Sequence, residues 1–204
     1  MSGRPHPVFD SESIAEDDTL LIFAIQSRNR AALERLYLGY HPRLARFLAR
    51  MIARSEDIEK IINDTFMAVW TRATAFRSES SVSTWIFAIA YRLMIRSLRR
   101  QKMQLPVWSA GILKSQCADH APDAEMTDWL GCALGRLPVK LRVTVTLAYQ
   151  MGFSVEEISQ ITKIPTGTVK PRMFHARMRL RELVEELGGP ARRPNSSGSL
   201  PKSR

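Results

Sequence analysis

With 204 residues, 45% of them hydrophobic, the chain can form one ordinary domain or two small ones around a real core. Its formal net charge of +10 points to a polyanionic partner, because basic groups gain from phosphate contact and counterion release. Charge alone leaves DNA, RNA and an anionic membrane all open. Two cysteines, Cys117 and Cys132, make no disulfide framework, and Cys117 with His120 lacks the second pair that a zinc site needs, so neither metal nor cofactor is expected.

The chain opens with a polar, acidic extension, 1–18, that has no apolar stretch of the kind a secretory signal carries. No uncharged apolar run reaches the ~18 residues of a membrane helix, and a cytoplasmic protein is expected. A first helical domain, 19–103, follows. Leu33, Leu36, Tyr37 and Tyr40 share one helical face, and Pro42 is expected to break or restart that helix. Leu44, Phe47, Leu48, Met51 and Ile52 continue the period. Ser55 is suited to cap the next helix, with Glu56 and Asp57 in its first turn, where negative charge is favoured. That helix buries Ile58, Ile61, Ile62, Phe66, Val69 and Trp70. The serine-rich stretch from Arg77 to Ser83 reads as a loop, and a further helix is predicted from about Thr84 to Lys102.

That last helix sets Ile86, Ile89, Ala90, Leu93 and Leu98 on its buried side, with Arg92, Arg96, Arg99 and Arg100 on or near the other. Arg92, Arg96 and Arg100 stand four apart and repel one another by a few tenths of a kcal/mol per pair. Phosphates would neutralise such a row; a plain solvated face is the alternative. Residues 104–126 hold Pro106, Gly111 and Pro122 with no sustained period and read as a flexible linker.

A second helical domain is expected over 127–187, and a disordered basic tail over 188–204. Ser154 and Glu157 have capping-box spacing, and Val155, Ile158 and Ile161 make an apolar stripe. Lys163-Ile164-Pro165 turns the chain into a second helix with Val169, Met173, Ala176, Leu180, Leu183 and Leu187 on one face. A short helix, a tight turn and a basic second helix are the parts of a helix-turn-helix. Thr168, Lys170 and Arg172 near its start would face base edges and phosphates. If the turn at Lys163 needs a left-handed backbone, lysine costs ~1 kcal/mol relative to glycine. If Thr168 caps the reading helix, Pro171 is its third residue and costs no bond; if Thr166 is the cap, Pro171 removes a bond to Gly167 and kinks the helix at ~3 kcal/mol; the Thr168 cap, or a distorted first turn, is favoured.

The segments "FMAVWTRATAFRSESSVSTWIFAIAYRLMIRSLRR" and "LGRLPVKLRVTVTLAYQMGFSVEEISQITKIPTGTVKPR" resemble the extracytoplasmic-function sigma factors, over about Thr19 to Leu187. The resemblance implies an all-α fold of two small domains joined by a flexible linker, without catalysis, a cofactor or a small-molecule substrate. It implies that Asn63 and Asp64, with Lys60 beside them, meet core RNA polymerase at its β′ clamp, with further contact to the β subunit. It implies that the loop with Ser78, Ser80, Ser81 and Ser83, with Trp85, takes a flipped base of the minus-ten element, while Arg92, Arg96, Arg99 and Arg100 hold the strands. Ser154, Thr166, Thr168, Lys170, Arg172, His175 and Arg179 would bind the minus-thirty-five element. An anti-sigma factor is the implied regulator. The chain departs from the family pattern at Lys60, where aspartate is usual, at Arg92 and Arg96, at Lys163 and at Pro171.

Three other classes fit less well. A stand-alone helix-turn-helix repressor has no use for the tryptophan-containing helix and serine loop of the first domain. A nucleic-acid enzyme would need a carboxylate cluster or a nucleophile and base, and His6, His41, His120 and His175 share no motif. An adaptor of the anti-sigma type would lack two separate basic faces.

Overall fold

The computed structural model describes residues 11–104 and 125–187, and all the regular elements among them are helical. The expected linker, the basic tail and the start of the acidic extension lie outside the described residues. Helix α1 (Ser11–Gln26) buries Leu21, Ile22 and Ile25. It ends in a turn where Arg28 takes φ 62°, and Asn29 caps the next helix by accepting from the Ala32 amide at 3.2 Å.

Helix α2 (Arg30–Ala49) continues through Pro42, so the expected break does not occur. Leu36, Tyr40, Leu44, Phe47 and Leu48 keep one buried stripe across the proline. Leu38, whose carbonyl loses its partner, is on the exposed side, where water can replace the bond. Packing on the buried side outweighs the missing donor.

Tyr40 donates a short hydrogen bond to Asp18, tying α2 to α1. Burial raises the Asp18 carboxyl above its ordinary 3.8, against the Tyr40 bond and the nearby Arg43, which lower it. A raised carboxylate favours the folded state below the unfolded value, and that contribution is lost as pH rises through the folded value. Asp18→Asn, which keeps an acceptor for Tyr40, is therefore expected to raise Tm at neutral pH. The gain should shrink towards zero as a thermal-melt series is carried below pH 3.8.

Helix α3 (Ser55–Arg72) starts at Ser55 itself. Arg54 occupies the cap position and no side chain caps the end, which corrects the expected serine cap; Glu56 and Asp57 remain in the first turn. Its buried face is Ile58, Ile61, Ile62, Thr65, Phe66 and Val69. Helix α4 (Val82–Gln104) begins two residues before the expected Thr84, because Ser81 Oγ accepts from the Thr84 amide at 3.1 Å and caps it. Ile86, Phe87, Ala90 and Met94 face inward, and α4 closes the bundle against α1 and α3.

Helices α5 (Glu125–Arg136) and α6 (Val139–Val145) pack on the last helix. Cys132 on α5 is disulfide-bonded, against the expectation of a chain without a bridge; Cys117 lies outside the described residues. A π-helical turn, Thr146–Gln150, leads into α7 (Val155–Thr162). The Ser154–Glu157 capping box is present with both of its bonds. Lys163 has φ 56° and ψ 39°, the left-handed conformation that glycine adopts without a Cβ penalty. Lys163→Gly is accordingly expected to stabilise the fold by about 1 kcal/mol, seen as a Tm about 2–4 °C higher.

Helix α8 (Thr166–Glu186) starts at Thr166 with Pro165 in the cap position, so the favoured Thr168 cap is not used. The Thr168 and Val169 amides both reach the Pro165 carbonyl, at 2.8 and 3.2 Å, which draws the two threonines into the first turn. Pro171 thus lies inside the helix and gives the Gly167 carbonyl no partner; both residues are exposed. Val169, Ala176 and Leu183 form the buried stripe.

The two helical sets are not held apart. α4 packs against α7, and one apolar cluster runs from Ile22 and Phe87 through to Phe153, Ile158 and Val169. A second, smaller cluster joins Leu134, Leu137, Val145, Ala176 and Leu183. Among the described residues no helix is long and apolar enough to cross a membrane.

Candidate nucleic-acid interface

α4 presents the first basic face. Arg92, Arg96, Arg99 and Arg100 are all exposed, and Arg92 Nε donates back to the Ala88 carbonyl at 3.1 Å. Arg96 and Arg100 line a cleft between α3 and α4 together with Asp57, Lys60 and Asp64. Residues expected to serve polymerase and residues expected to serve DNA therefore meet in one groove. Gln101 closes it by donating to Asp57 at 3.0 Å. Asn63, also exposed, lies away from this groove and accepts from the Tyr37 hydroxyl at 3.4 Å.

The serine loop is built to hold a shape. Ser78 takes φ 58°, and Trp85 leans on Phe76 with ring centroids 5.3 Å apart. Ser80 is half-buried, and Ser83 has its hydroxyl turned inward beside Tyr40. Ser83 is the second residue of α4 and half-buried, with its hydroxyl facing Tyr40 of α2. Ser81 is exposed and serves as the cap.

α8 presents the second basic face. Thr166, Lys170 and His175 are exposed, Thr168 is half-buried in the first turn, and Phe174 lies against His175 at 5.9 Å. Arg172 is half-buried and turned towards α4, where it and Arg99 act on the Tyr91 phenol; burial is nonetheless the larger influence and raises that phenol's pKa. Arg179 is engaged with Glu182 at 2.8 Å and Glu186 at 3.5 Å on its own helix. Those carboxylates lower its availability for phosphate, although exposed pairs of this kind are weak. Ser154 is exposed at the start of α7.

Family models for Sigma-70 region 2 and Sigma-70, region 4 match residues 36–103 and 127–180. The chain is 30% identical to the ECF RNA polymerase sigma factor SigM of Mycobacterium tuberculosis, over 83% of its own length and 86% of that protein's. It belongs to the ECF RNA polymerase sigma factors. It is also 31% identical to the sigma factor RpoE of Cereibacter sphaeroides, over 76% of this chain and 87% of that one. Among solved structures, RpoE of Bartonella quintana, crystallised with the anti-sigma factor NepR, matches with a TM-score of 0.64 at 25% identity, covering 74% of this chain and 96% of that one.

In this sigma factor the region 2 match takes in most of α2 and all of α3 and reaches to the end of α4, and the region 4 match spans α5 to the middle of α8. The geometry also brings in residues that spacing did not single out for the site. Glu157 bonds across to α4: its carboxylate accepts from Thr84 Oγ1 at 3.0 Å and stands 3.4 Å from Ser81 Oγ. Phe153 meets Phe87 edge-on at 4.9 Å. Arg142 on α6 donates to the Arg50 carbonyl at 3.0 Å, and also to the carbonyls of Leu137 and Gly135. The sequence marked Glu157 only as a capping residue, and nothing local marks a contact made 73 residues away.

Proposed function

We propose that this sigma factor directs core RNA polymerase to promoters by reading the minus-ten element with α4 and the preceding serine loop, and the minus-thirty-five element with α8. One observation carries the reading: a single chain presents two basic helical faces, each opposite its own buried apolar stripe. A plain repressor needs only the second. Phosphate contacts from Arg92, Arg96, Arg99, Arg100 and Lys170 would supply affinity and position, while Thr166, Thr168 and Arg172 would reach base edges. Polymerase would dock on α3 through Asn63 and Asp64, with Lys60 replacing the usual acidic neighbour. Membership of the family supports control by an anti-sigma factor and action in the cytoplasm.

Reconstituted transcription tests this. Core polymerase with the purified chain should initiate at specific sites, and Asn63→Ala/Asp64→Ala should weaken assembly with core while leaving the chain folded. Specific initiation by core polymerase in the absence of the chain, or full assembly by the double variant, counts against the proposal.

A further inference from the structure

We infer that the outer face of α8 reads thymine in the minus-thirty-five element by its methyl group, through an apolar ridge of Pro171, Phe174 and Met178. The inference deepens the proposed function and rests on it, because it takes α8 as the reading helix.

The helical period sets the ridge. Pro171, Phe174 and Met178 stand at i, i+3 and i+7, so they share one face of α8, while Val169, Ala176 and Leu183 bury the opposite one. All three are exposed, Phe174 at 54% and Met178 at 45%. Single exposed apolar residues are common and need no explanation. Three in line on the outer face of a basic helix form a surface of another kind. Lys170 and Arg177 run along one edge of it, exposed and with no carboxylate paired to them among the described residues. The carboxylates of α8 engage Arg179 and Arg181 instead. On the other edge His175 lies against the Phe174 ring at 5.9 Å, which limits the freedom of that ring. Gly167, about one turn before Pro171, has open space about it, so a base edge can come close to the start of the ridge.

The occupant follows from what these side chains can offer. Pro171 has no N–H, and neither the Phe174 ring nor the Met178 thioether donates a hydrogen bond. The ridge therefore has little to give the donors and acceptors of a base edge. The apolar group on the major-groove edge of the base pairs is the C5 methyl of thymine, and contact with an apolar side chain is how it is read. Lys170 and Arg177 favour DNA over an apolar protein surface, since they match the phosphates that border a groove and would be desolvated without partners against apolar protein. Pro171 to Met178 covers about 10 Å of helix axis at ~1.5 Å per residue, the length of about three base-pair steps of ~3.4 Å. Pro171 and Phe174 lie nearer the N-terminus of the reading helix and reach deepest, so one or two methyls are read.

Deoxyuridine substitution tests this. Holoenzyme assembled from core polymerase and the full chain selects duplexes from a randomised pool, and the selected upstream element should hold thymine at one or two fixed positions. Replacing each by deoxyuridine removes the methyl and nothing else, and should weaken wild-type binding about fourfold, the effect of unburying one carbon group. Phe174→Ala should bind less tightly and treat thymine and uracil alike. Its thermal melt should match wild type, because the ring is exposed. Lys170→Ala should weaken both duplexes equally and keep the fourfold preference. Equal wild-type affinity for thymine and uracil at every position, or a preference that survives both Phe174→Ala and Pro171→Ala, overturns the inference. If the ridge docks on protein instead, Phe174→Ala will weaken assembly with core while uracil makes no difference, which overturns it as well. Holoenzyme that selects no upstream sequence at all overturns the proposed function and the inference with it. Holoenzyme that selects a sequence but ignores the methyl overturns the inference alone.

Discussion

Phe87→Ala is expected to lower the free energy of unfolding by about 3–5 kcal/mol. Phe87 is fully buried at the centre of the molecule. Its ring meets Phe47 at 5.6 Å and Phe153 at 4.9 Å, and the Arg43 guanidinium lies 5.6 Å from its centroid. Truncation removes the transfer energy of the ring, leaves a cavity between α2, α4 and the segment before α7, and forfeits the aromatic pairs, worth about 0.5–1.5 kcal/mol each. A domain of this size has about 5–15 kcal/mol in total, so much of its stability would go. Urea denaturation with the slope held constant gives the value directly. Phe87→Leu should recover most of the loss, since it refills most of the space. A loss below about 1 kcal/mol for alanine would mean that the helices collapse onto the vacated site, contrary to the close packing of this core.

The second large effect is at Arg142. Its guanidinium is largely buried and bonds three carbonyls, one at the end of α2 and two in the joint between α5 and α6. Burial pulls its pKa below the usual arginine value, as expected for a cation with no carboxylate beside it. Arg142→Ala removes charge-assisted bonds but strands no opposite charge. The expected loss is therefore about 2 kcal/mol, below the 3–5 kcal/mol seen when a buried ion pair is broken. Arg142→Lys keeps the charge, yet an ammonium group cannot fork to carbonyls on both sides, so it should restore only part of the stability. Thermal melts of the three proteins in parallel decide between a positional and a purely electrostatic role.

Periodicity made the helices legible because each one buries a single stripe: Val169, Ala176 and Leu183 on α8, or Ile58, Ile61, Ile62 and Phe66 on α3. Local rules gave way where they met tertiary packing. Pro42 and Pro171 both sit inside helices, because apolar residues before and after each proline face the same core and the lost bonds fall on the solvent side. Ser55, followed by Glu56 and Asp57, has the local pattern of a cap, but α3 already begins there. At the site, exposure of the α4 arginines followed from the opposing apolar stripe. The turn of Arg172 towards α4, the pairing of Arg179 with Glu182 and Glu186, and the reach of Glu157 to Thr84 depend on the packing of α7 and α8, which no sequence window contains.

The left-handed lysine at the helix-turn-helix joint bears on how the protein can change over generations. Lys163 leaves about 1 kcal/mol unused that glycine would recover. Most substitutions destabilise by amounts of this order, and chains persist while they stay above a threshold. A lineage that acquired glycine here could therefore tolerate one further mildly damaging change on the reading helix three residues away. The turn stores evolvability beside the surface where a new promoter preference would have to arise.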